Sequence, residues 1–569
     1  MIWICCPGLL VAAWKDEIGY TQLQEVLGEA LPDGSGVRVV MVEANAANAP
    51  SYLYLPNGGN SEFDGKTMTD ASGLSTGFSS HATGVASIFF GNSTSFTPGI
   101  VEISTFLSDD WMDASLNTGA TAAPSVIPGQ VINHSWVSAF SDSSYDTYAL
   151  NVLARFDLAI DRDQVTAVVG LNNGSGNPQP QLLTSGYNSL SVGLTNGNHS
   201  RGFSTFAGLG RMKPEIVAPM GTTSNATPVV SSIAALLRQV ANSHASPTAI
   251  RPEVIKACLM AGATKEEFPN WSHTEEKPLD AVFGAGEVNV YNSYFIMSAP
   301  EQSPDSLVAE KGWDYGQVST TNRQQVYFLN VAEGQLLLDL SVMLTWHRDV
   351  SVSRFNNTSS LDNLSLQFYE ADNQNLGNVI ATSDSPVDNV EHLYLPDPME
   401  PGEYALVVNG PGGESFQSAY GLAWRSSIRA NDNYDLWRYL QFAESELPLE
   451  DRAADQDPDF DEMDNRMEYA LGSDPEVAEP QGSVVQMEIL EFDGQSYLAL
   501  HFKRRRFVSD LRYEVAFSED MTNWDSSDAA LIEQDVTVLD ASYERVTYRT
   551  RLPVNFDSSL FLRLSLLEI

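Results

Sequence analysis

The rhythm of apolar and polar positions divides the chain. Residues 35–43, Ser-Gly-Val-Arg-Val-Val-Met-Val-Glu, read as a turn followed by a buried strand. Thr166 to Gly174 reads as another buried strand running into an Asn-Gly turn. Near-continuous apolar strands of this kind suit a parallel sheet covered on both faces. Between them the period lengthens. Small and apolar residues follow His81 in a pattern that predicts a buried helix starting at the histidine. Val229, Val230, Ile233, Leu236, Leu237 and Val240 recur at helical spacing, and residues 251–263 predict a further helix.

Past residue 300 the pattern shortens. Gln325–Leu329, Leu336–Val342, Leu364–Tyr369 and Tyr404–Asn409 are strand-like runs separated by Asn, Asp, Gly and Pro. Such runs predict an all-β sandwich. A helical piece around Trp437–Phe442 and an acidic stretch follow. The last part predicts a small β-sandwich with strands at Leu498–Phe502, Tyr513–Phe517, Arg545–Arg549 and Leu560–Leu564. The expected organisation is an N-terminal segment (1–34), an α/β domain (35–298), a β-sandwich (299–428), a helical and acidic spacer (429–478) and a C-terminal β-sandwich (479–569).

Charge narrows the function. Lys and Arg total 31 against 74 Asp and Glu, for a net charge of −43. Such a surface stays soluble in salty or calcium-bearing surroundings and repels nucleic acid and anionic membranes. The three cysteines are Cys5, Cys6 and Cys258. Adjacent Cys5 and Cys6 are poorly placed to pair with each other, so this is no disulfide scaffold, and no zinc-type spacing appears. The apolar start, 14 residues long, is too short to span a membrane. With no Lys or Arg before it, it reads as an incomplete secretory signal, which places the protein outside the cell or at its surface. No other run is long enough to be transmembrane.

The candidate chemistry centres on Gly221–Leu237, Gly-Thr-Thr-Ser-Asn-Ala-Thr-Pro-Val-Val-Ser-Ser-Ile-Ala-Ala-Leu-Leu. Ser224 falls where a loop becomes a helix, with Pro228 placed in the first turn. Unpaired N–H groups and the partial positive charge there favour a developing oxyanion. The same stretch also reads as a capped core helix.

Lys213–Pro219 (Lys-Pro-Glu-Ile-Val-Ala-Pro) followed by Thr-Ser-Asn-Ala-Thr-Pro resembles the nucleophile motif of the subtilisin-like serine proteases. Thr222 stands where that family usually has glycine. His81 in His-Ala-Thr-Gly-Val-Ala-Ser resembles the family's histidine motif, and Phe283–Asn289 its closing signature. The resemblance covers about residues 35–298, in the chain order acid, histidine, serine. It implies a triad of Glu43, His81 and Ser224, with Glu43 in place of the usual aspartate. It implies Asn172 as the oxyanion donor. It also implies that the strand Val131–Trp136 lines the substrate cleft, with Ser135, Trp136 and Val137 as substrate-binding residues and Val137 in place of a glycine. Polypeptides are the expected substrates, cleaved through an acyl-enzyme, with no organic cofactor. A catalytically inactive relative that binds surfaces is the alternative, and an esterase using the same triad is a third reading.

The β-sandwich after the α/β domain resembles the jelly-roll domain that often follows bacterial secreted proteases, through Pro-Glu-Pro-Gly-Glu-Tyr-Ala-Leu-Val-Val-Asn-Gly. Contact with a cell surface or matrix is expected of the C-terminal β domains. In the spacer, Asp457, Asp459, Asp461, Asn465 and Glu468 occupy positions 1, 3, 5, 9 and 12 of an EF-hand-type loop, which points to structural Ca2+. Glu462 sits at position 6, where such loops use glycine. The stretch resembles a short calcium-type spacer of large secreted bacterial proteins.

Overall fold

The computed structural model describes residues 14–351, 359–413, 415–443, 445, 447–480, 484–554 and 559–569. Cys5, Cys6 and the apolar start through residue 13 lie outside them. Among the described residues no helix is long and apolar enough to cross a membrane. The chain forms two compact units. One runs up to Leu329 and includes Asp339–Leu395 and Glu403–Ser426; the other holds Asn330–Leu338, Pro396–Gly402 and Ser427–Ile569.

The first unit is built on a seven-stranded sheet of β1 (Arg38–Glu43), β2 (Thr67–Asp70), β3 (Glu102–Leu107), β4 (Val131–His134), β5 (Thr166–Gly170), β6 (Leu190–Leu194) and β7 (Ile216–Ala218). Its order is β7-β6-β5-β4-β1-β3-β2, with every pair parallel. The helices used below are α1 (Ser80–Phe90), α2 (Asp146–Asp163), α3 (Thr223–Ser243) and α4 (Pro252–Ala261).

The apolar strands are buried on both faces. Val39 and Met41 of β1 join a core with Val85 and Phe89 of α1 and Val229, Ile233 and Leu237 of α3. Val40 and Val42 join a second core with Val152, Leu153 and Phe156 of α2. Period-two alternation therefore sends apolar side chains in both directions, so no polar face appears in the sequence. The strand order reverses around β1, the point where open α/β sheets place their ligands, beyond the carboxyl ends of the strands.

Antiparallel strands follow, β8 (Lys311–Ser319), β9 (Gln324–Val331), β10 (Gln335–Thr345), β11 (Ser365–Asp372), β12 (Asn375–Ser383), β13 (Val390–Leu395), β14 (Gly402–Asn409) and β15 (Gln417–Ala430), lying in the first unit except for the ends of β9, β10, β14 and β15 that the division assigns to the second. They form one sheet of order β8-β15-β10-β13 and another in which β9-β14-β11-β12 run side by side. The loop after β10 lies on α2. Arg348 pairs with Asp157, His347 Nδ1 lies 3.0 Å from Asp161 Oδ1, and Val350 packs on Ala154 and Leu158. These α2 residues recur at helical spacing along one stripe.

The second unit holds α5 (Asn465–Leu471) and strands β16 (Val485–Phe492), β17 (Gln495–Arg505), β18 (Leu511–Ser518), β19 (Leu531–Val538), β20 (Tyr543–Thr550) and β21 (Phe561–Glu568). One sheet runs β16-β17-β20-β19 and a smaller one pairs β18 with β21. Tyr469 and Leu471 of α5 pack with Leu500, Phe502 and Val546 in its core.

Candidate active site

Glu43 is the last residue of β1 and is 1% exposed. Its Oε2 lies 2.7 Å from Nδ1 of His81. His81 is the second residue of α1, whose start is fixed by the Ser79 hydroxyl accepting the Ala82 N–H at 3.2 Å. The longer glutamate side chain thus reaches the imidazole from the strand end. Burial raises the carboxyl of Glu43 above its ordinary range, against the pull of His81. The hydrogen bond and charge of Glu43 raise His81 in turn, against the effect of its own burial.

Ser224 lies in the first turn of α3, which begins at Thr223 behind an N-cap at Thr222. Thr222 has φ −142° and ψ 151°, extended backbone open to any residue, so threonine is no strain where the family has glycine. Pro228 sits one turn further into α3 than expected. Lacking an N–H, it cannot donate to the Ser224 carbonyl. That carbonyl is met by the hydroxyl of Ser135, at 3.1 Å. The Ser224 hydroxyl is turned to the Ser135 carbonyl at 3.4 Å, and among the described residues no hydrogen bond joins it to His81. Catalytic contacts of this kind often tighten only when substrate is bound.

Of the two asparagines after β5, the structure joins the side chain of Asn173 to α3. Asn172 bonds Ser200 through its backbone: its N–H donates to the Ser200 hydroxyl and its carbonyl accepts the Ser200 N–H. The side chain of Asn173 crosses to α3, where its Oδ1 accepts the N–H of Thr223 at 2.9 Å and the Thr223 hydroxyl at 3.2 Å. β5 ends at Gly170, so strand alternation no longer says which of the two asparagines faces the serine. Gly170 itself lets α3 approach, since a Cβ there would meet Thr227 Oγ1 at 2.7 Å.

Residues 51–286 match the model of the Peptidase_S8 group, described as the subtilase family. The chain carries a subtilase-family domain. The match begins after Glu43. No curated protein matches the chain. Similar solved structures include a lanthipeptide protease at 16% identity and TM-score 0.36, with 50% of this chain and 93% of that one covered. Another is fervidolysin from Fervidobacterium pennivorans, a keratinolytic enzyme related to subtilisin, at 13% identity and TM-score 0.33, covering 67% of this chain and 53% of that one. A third is the pre-peptidase C-terminal domain of a collagenase from Bacillus anthracis, at 16% identity and TM-score 0.16, covering 22% and 98%.

Of the three residues expected to bind substrate in the subtilase domain, only Val137 is exposed, at 38%. Ser135 is buried and bonded to Ser224 as above, with Asn133 Nδ2 donating to its hydroxyl at 3.0 Å. Trp136 is also buried, its ring meeting His134 edge-on at 5.9 Å. Their side chains support the strand, and only Val137 is presented outward. His134 is enclosed by Trp111, Trp136 and Phe156, and burial drives its pKa down to about 3, so it is a neutral core residue.

Before the loop that leads to Ser224 lies a buried ion network. Glu215 is held by Lys213 at 3.1 Å and Lys256 at 2.7 Å, and its Oε2 accepts the Ser191 N–H at 2.6 Å. Against its burial, the two ammonium groups pull Glu215 down to about 2. The network pins β7 to β6 and α4 just before the chain turns toward Ser224.

In the second unit, Asp457, Asp459 and Asp461 bring carboxylate oxygens within 4.8 Å of one another. Glu468, on α5, is fully buried. Asn465 Nδ2 donates to the carbonyls of Asp451 at 2.9 Å and Ala453 at 2.8 Å, while its Oδ1 is buried with no partner among the described residues.

Proposed function

We propose that the subtilase domain is a serine endopeptidase in which Glu43, His81 and Ser224 act together. The observation that carries this is the 2.7 Å contact between a buried strand-end carboxylate and His81 Nδ1, set at the reversal point of the sheet where Ser224 heads α3. Glu43 holds the imidazole with Nδ1 protonated, leaving Nε2 as the base. The Ser224 hydroxyl attacks the peptide carbonyl carbon while His81 takes its proton. The C–N bond breaks as His81 returns that proton to the leaving amine. Water, deprotonated by His81, then attacks the acyl carbon; the ester C–O bond to Ser224 breaks, His81 returns the proton to the Ser224 oxygen, and the carboxylate product is freed. The Ser224 N–H, at a helix position with no intrahelical acceptor, and Nδ2 of Asn173 stabilise the oxyanion. Val137 borders the peptide, and the acidic surface suits action outside the cell in salty, calcium-bearing surroundings.

The test is fluorophosphonate labelling together with cleavage of an unfolded protein substrate, on the full chain and on Ser224→Ala. Labelling and internal cleavage lost in the variant are expected. A folded wild-type protein that neither labels nor cleaves overturns the reading.

A further inference from the structure

We propose that the loop from Asp457 to Glu468 binds one calcium ion through the carboxylates of Asp457, Asp459, Asp461 and Glu468 and the Met463 carbonyl, and that this ion completes the core of the second unit. The inference is independent of the protease reading.

Three aspartates converge within 4.8 Å, which by itself is only an acidic cluster. Glu468 adds the deciding observation. It is 0% exposed, and among the described residues neither Oε1 nor Oε2 has a partner. Asp459 Oδ2 is likewise buried without one. A buried carboxylate with both oxygens unbonded, four residues beyond the three-aspartate loop's Asp464 cap, is costly unless a cation neutralises it.

The loop is also shaped to present these oxygens. Asp457 Oδ1 and Asp459 Oδ1 both accept the Asp461 N–H, at 3.3 and 3.2 Å. Asp457 Oδ2 accepts the Glu462 N–H at 3.1 Å, and Asp461 Oδ1 the Met463 N–H at 2.9 Å. Glu462 takes φ +78°, so the sharp left-handed turn is made even without glycine.

Oxygen-only ligands select a hard cation. Two free oxygens on the closing glutamate suit the bidentate contact of a calcium site, whereas Mg2+ keeps its waters and rarely accepts an all-protein cage. Asn465 Nδ2 ties the preceding loop to α5, which leaves its Oδ1 buried with no partner among the described residues and available to the ion directly or through a water. Glu468 is followed by Tyr469, Ala470 and Leu471, each 0% exposed, so the fate of its charge bears directly on the core.

The experiment is calorimetric titration of the metal-free full chain with Ca2+, paired with thermal melting in chelator, Ca2+ and Mg2+. One site and a rise in the melting of the second unit with Ca2+ are expected. Glu468→Gln should weaken binding on the order of thirtyfold or more. It should melt no lower than wild type in chelator, because it removes a charge from a crowded group. If Glu468→Gln does not fold, Asp459→Asn serves, with the same loss of binding expected. A folded wild-type protein that shows neither binding heat nor a melting shift overturns the proposal. So does a variant binding as tightly as wild type, or an equal shift with Mg2+.

Discussion

Ser135 and Ser224 are tied by two hydrogen bonds running in opposite directions: the Ser135 hydroxyl donates to the Ser224 carbonyl at 3.1 Å, and the Ser224 hydroxyl donates to the Ser135 carbonyl at 3.4 Å. The first bond exists because Pro228 removes the helical donor that would otherwise take that carbonyl. Ser135→Ala should therefore cost about 1 kcal/mol of stability, through a part-buried carbonyl left unpaired. In a Pro228→Ala background, where α3 can supply an N–H, the same change should cost less. A double-mutant cycle by chemical denaturation checks this, and additive effects would refute the link.

The two asparagines after β5 should separate cleanly. Asn173→Ala should lower kcat by about 100- to 1,000-fold, the usual loss for one oxyanion donor. Asn172→Ala should leave kcat within a few-fold, because Asn172 meets Ser200 through its backbone. Steady-state kinetics on both variants decides, and the reverse order would return the role to Asn172.

Glu43 should matter as charge and as length. Glu43→Gln should reduce kcat by up to about 10,000-fold, the scale seen when a triad acid loses its charge. Glu43→Asp keeps the charge but shortens the reach that brings Oε2 to 2.7 Å from His81, and should fall between wild type and Glu43→Gln. Equal rates of fluorophosphonate labelling in all three would remove Glu43 from the mechanism.

The pH profile follows from the same pair. His81 must be neutral to accept the serine proton, and Glu43 raises its pKa. Activity should therefore rise with pH through an inflection above the ordinary imidazole value of about 6.5. Glu43→Gln should move that inflection down. A pH series of kcat/KM gives the answer.

His347 should make the first unit more stable in acid than in base. Burial lowers its pKa, but Glu253 and Asp161 outweigh burial and the nearby Lys256, and the net shift is upward. A raised folded pKa gives stability that is full below the unfolded value and lost as pH rises through the folded one. His347→Gln should thus destabilise the protein more at pH about 5.5 than at pH about 9, a window set by the imidazole pKa. Denaturant melts at both values test it, and equal losses would sink the idea.

Much of this was readable without coordinates, because it rests on local pattern. Val39 to Val42 are apolar without alternation, so a strand buried on both faces follows from two-residue periodicity alone. His81 and Ser224 each precede small apolar residues at helical spacing, which puts both at helix starts. The acidic spacing from Asp457 to Glu468 likewise marks a loop by count.

Tertiary packing decided what lies off the regular elements. The choice between Asn172 and Asn173 depends on how the chain leaves β5, where neither the strand nor the helix period applies. Ser135 and Trp136 turn inward because α3 and the core around His134 occupy the space behind β4. Pro228 acquires its effect only because the Ser135 hydroxyl stands opposite the carbonyl it orphans. Lys256, which meets Glu215, and Asp161, which meets His347, come from segments distant in sequence, and no spacing in the chain encodes that they meet. Burial of Glu468 needed the whole second unit folded around α5. Periodicity reports which way a side chain faces its own element; which group waits on the other side is settled when the elements pack.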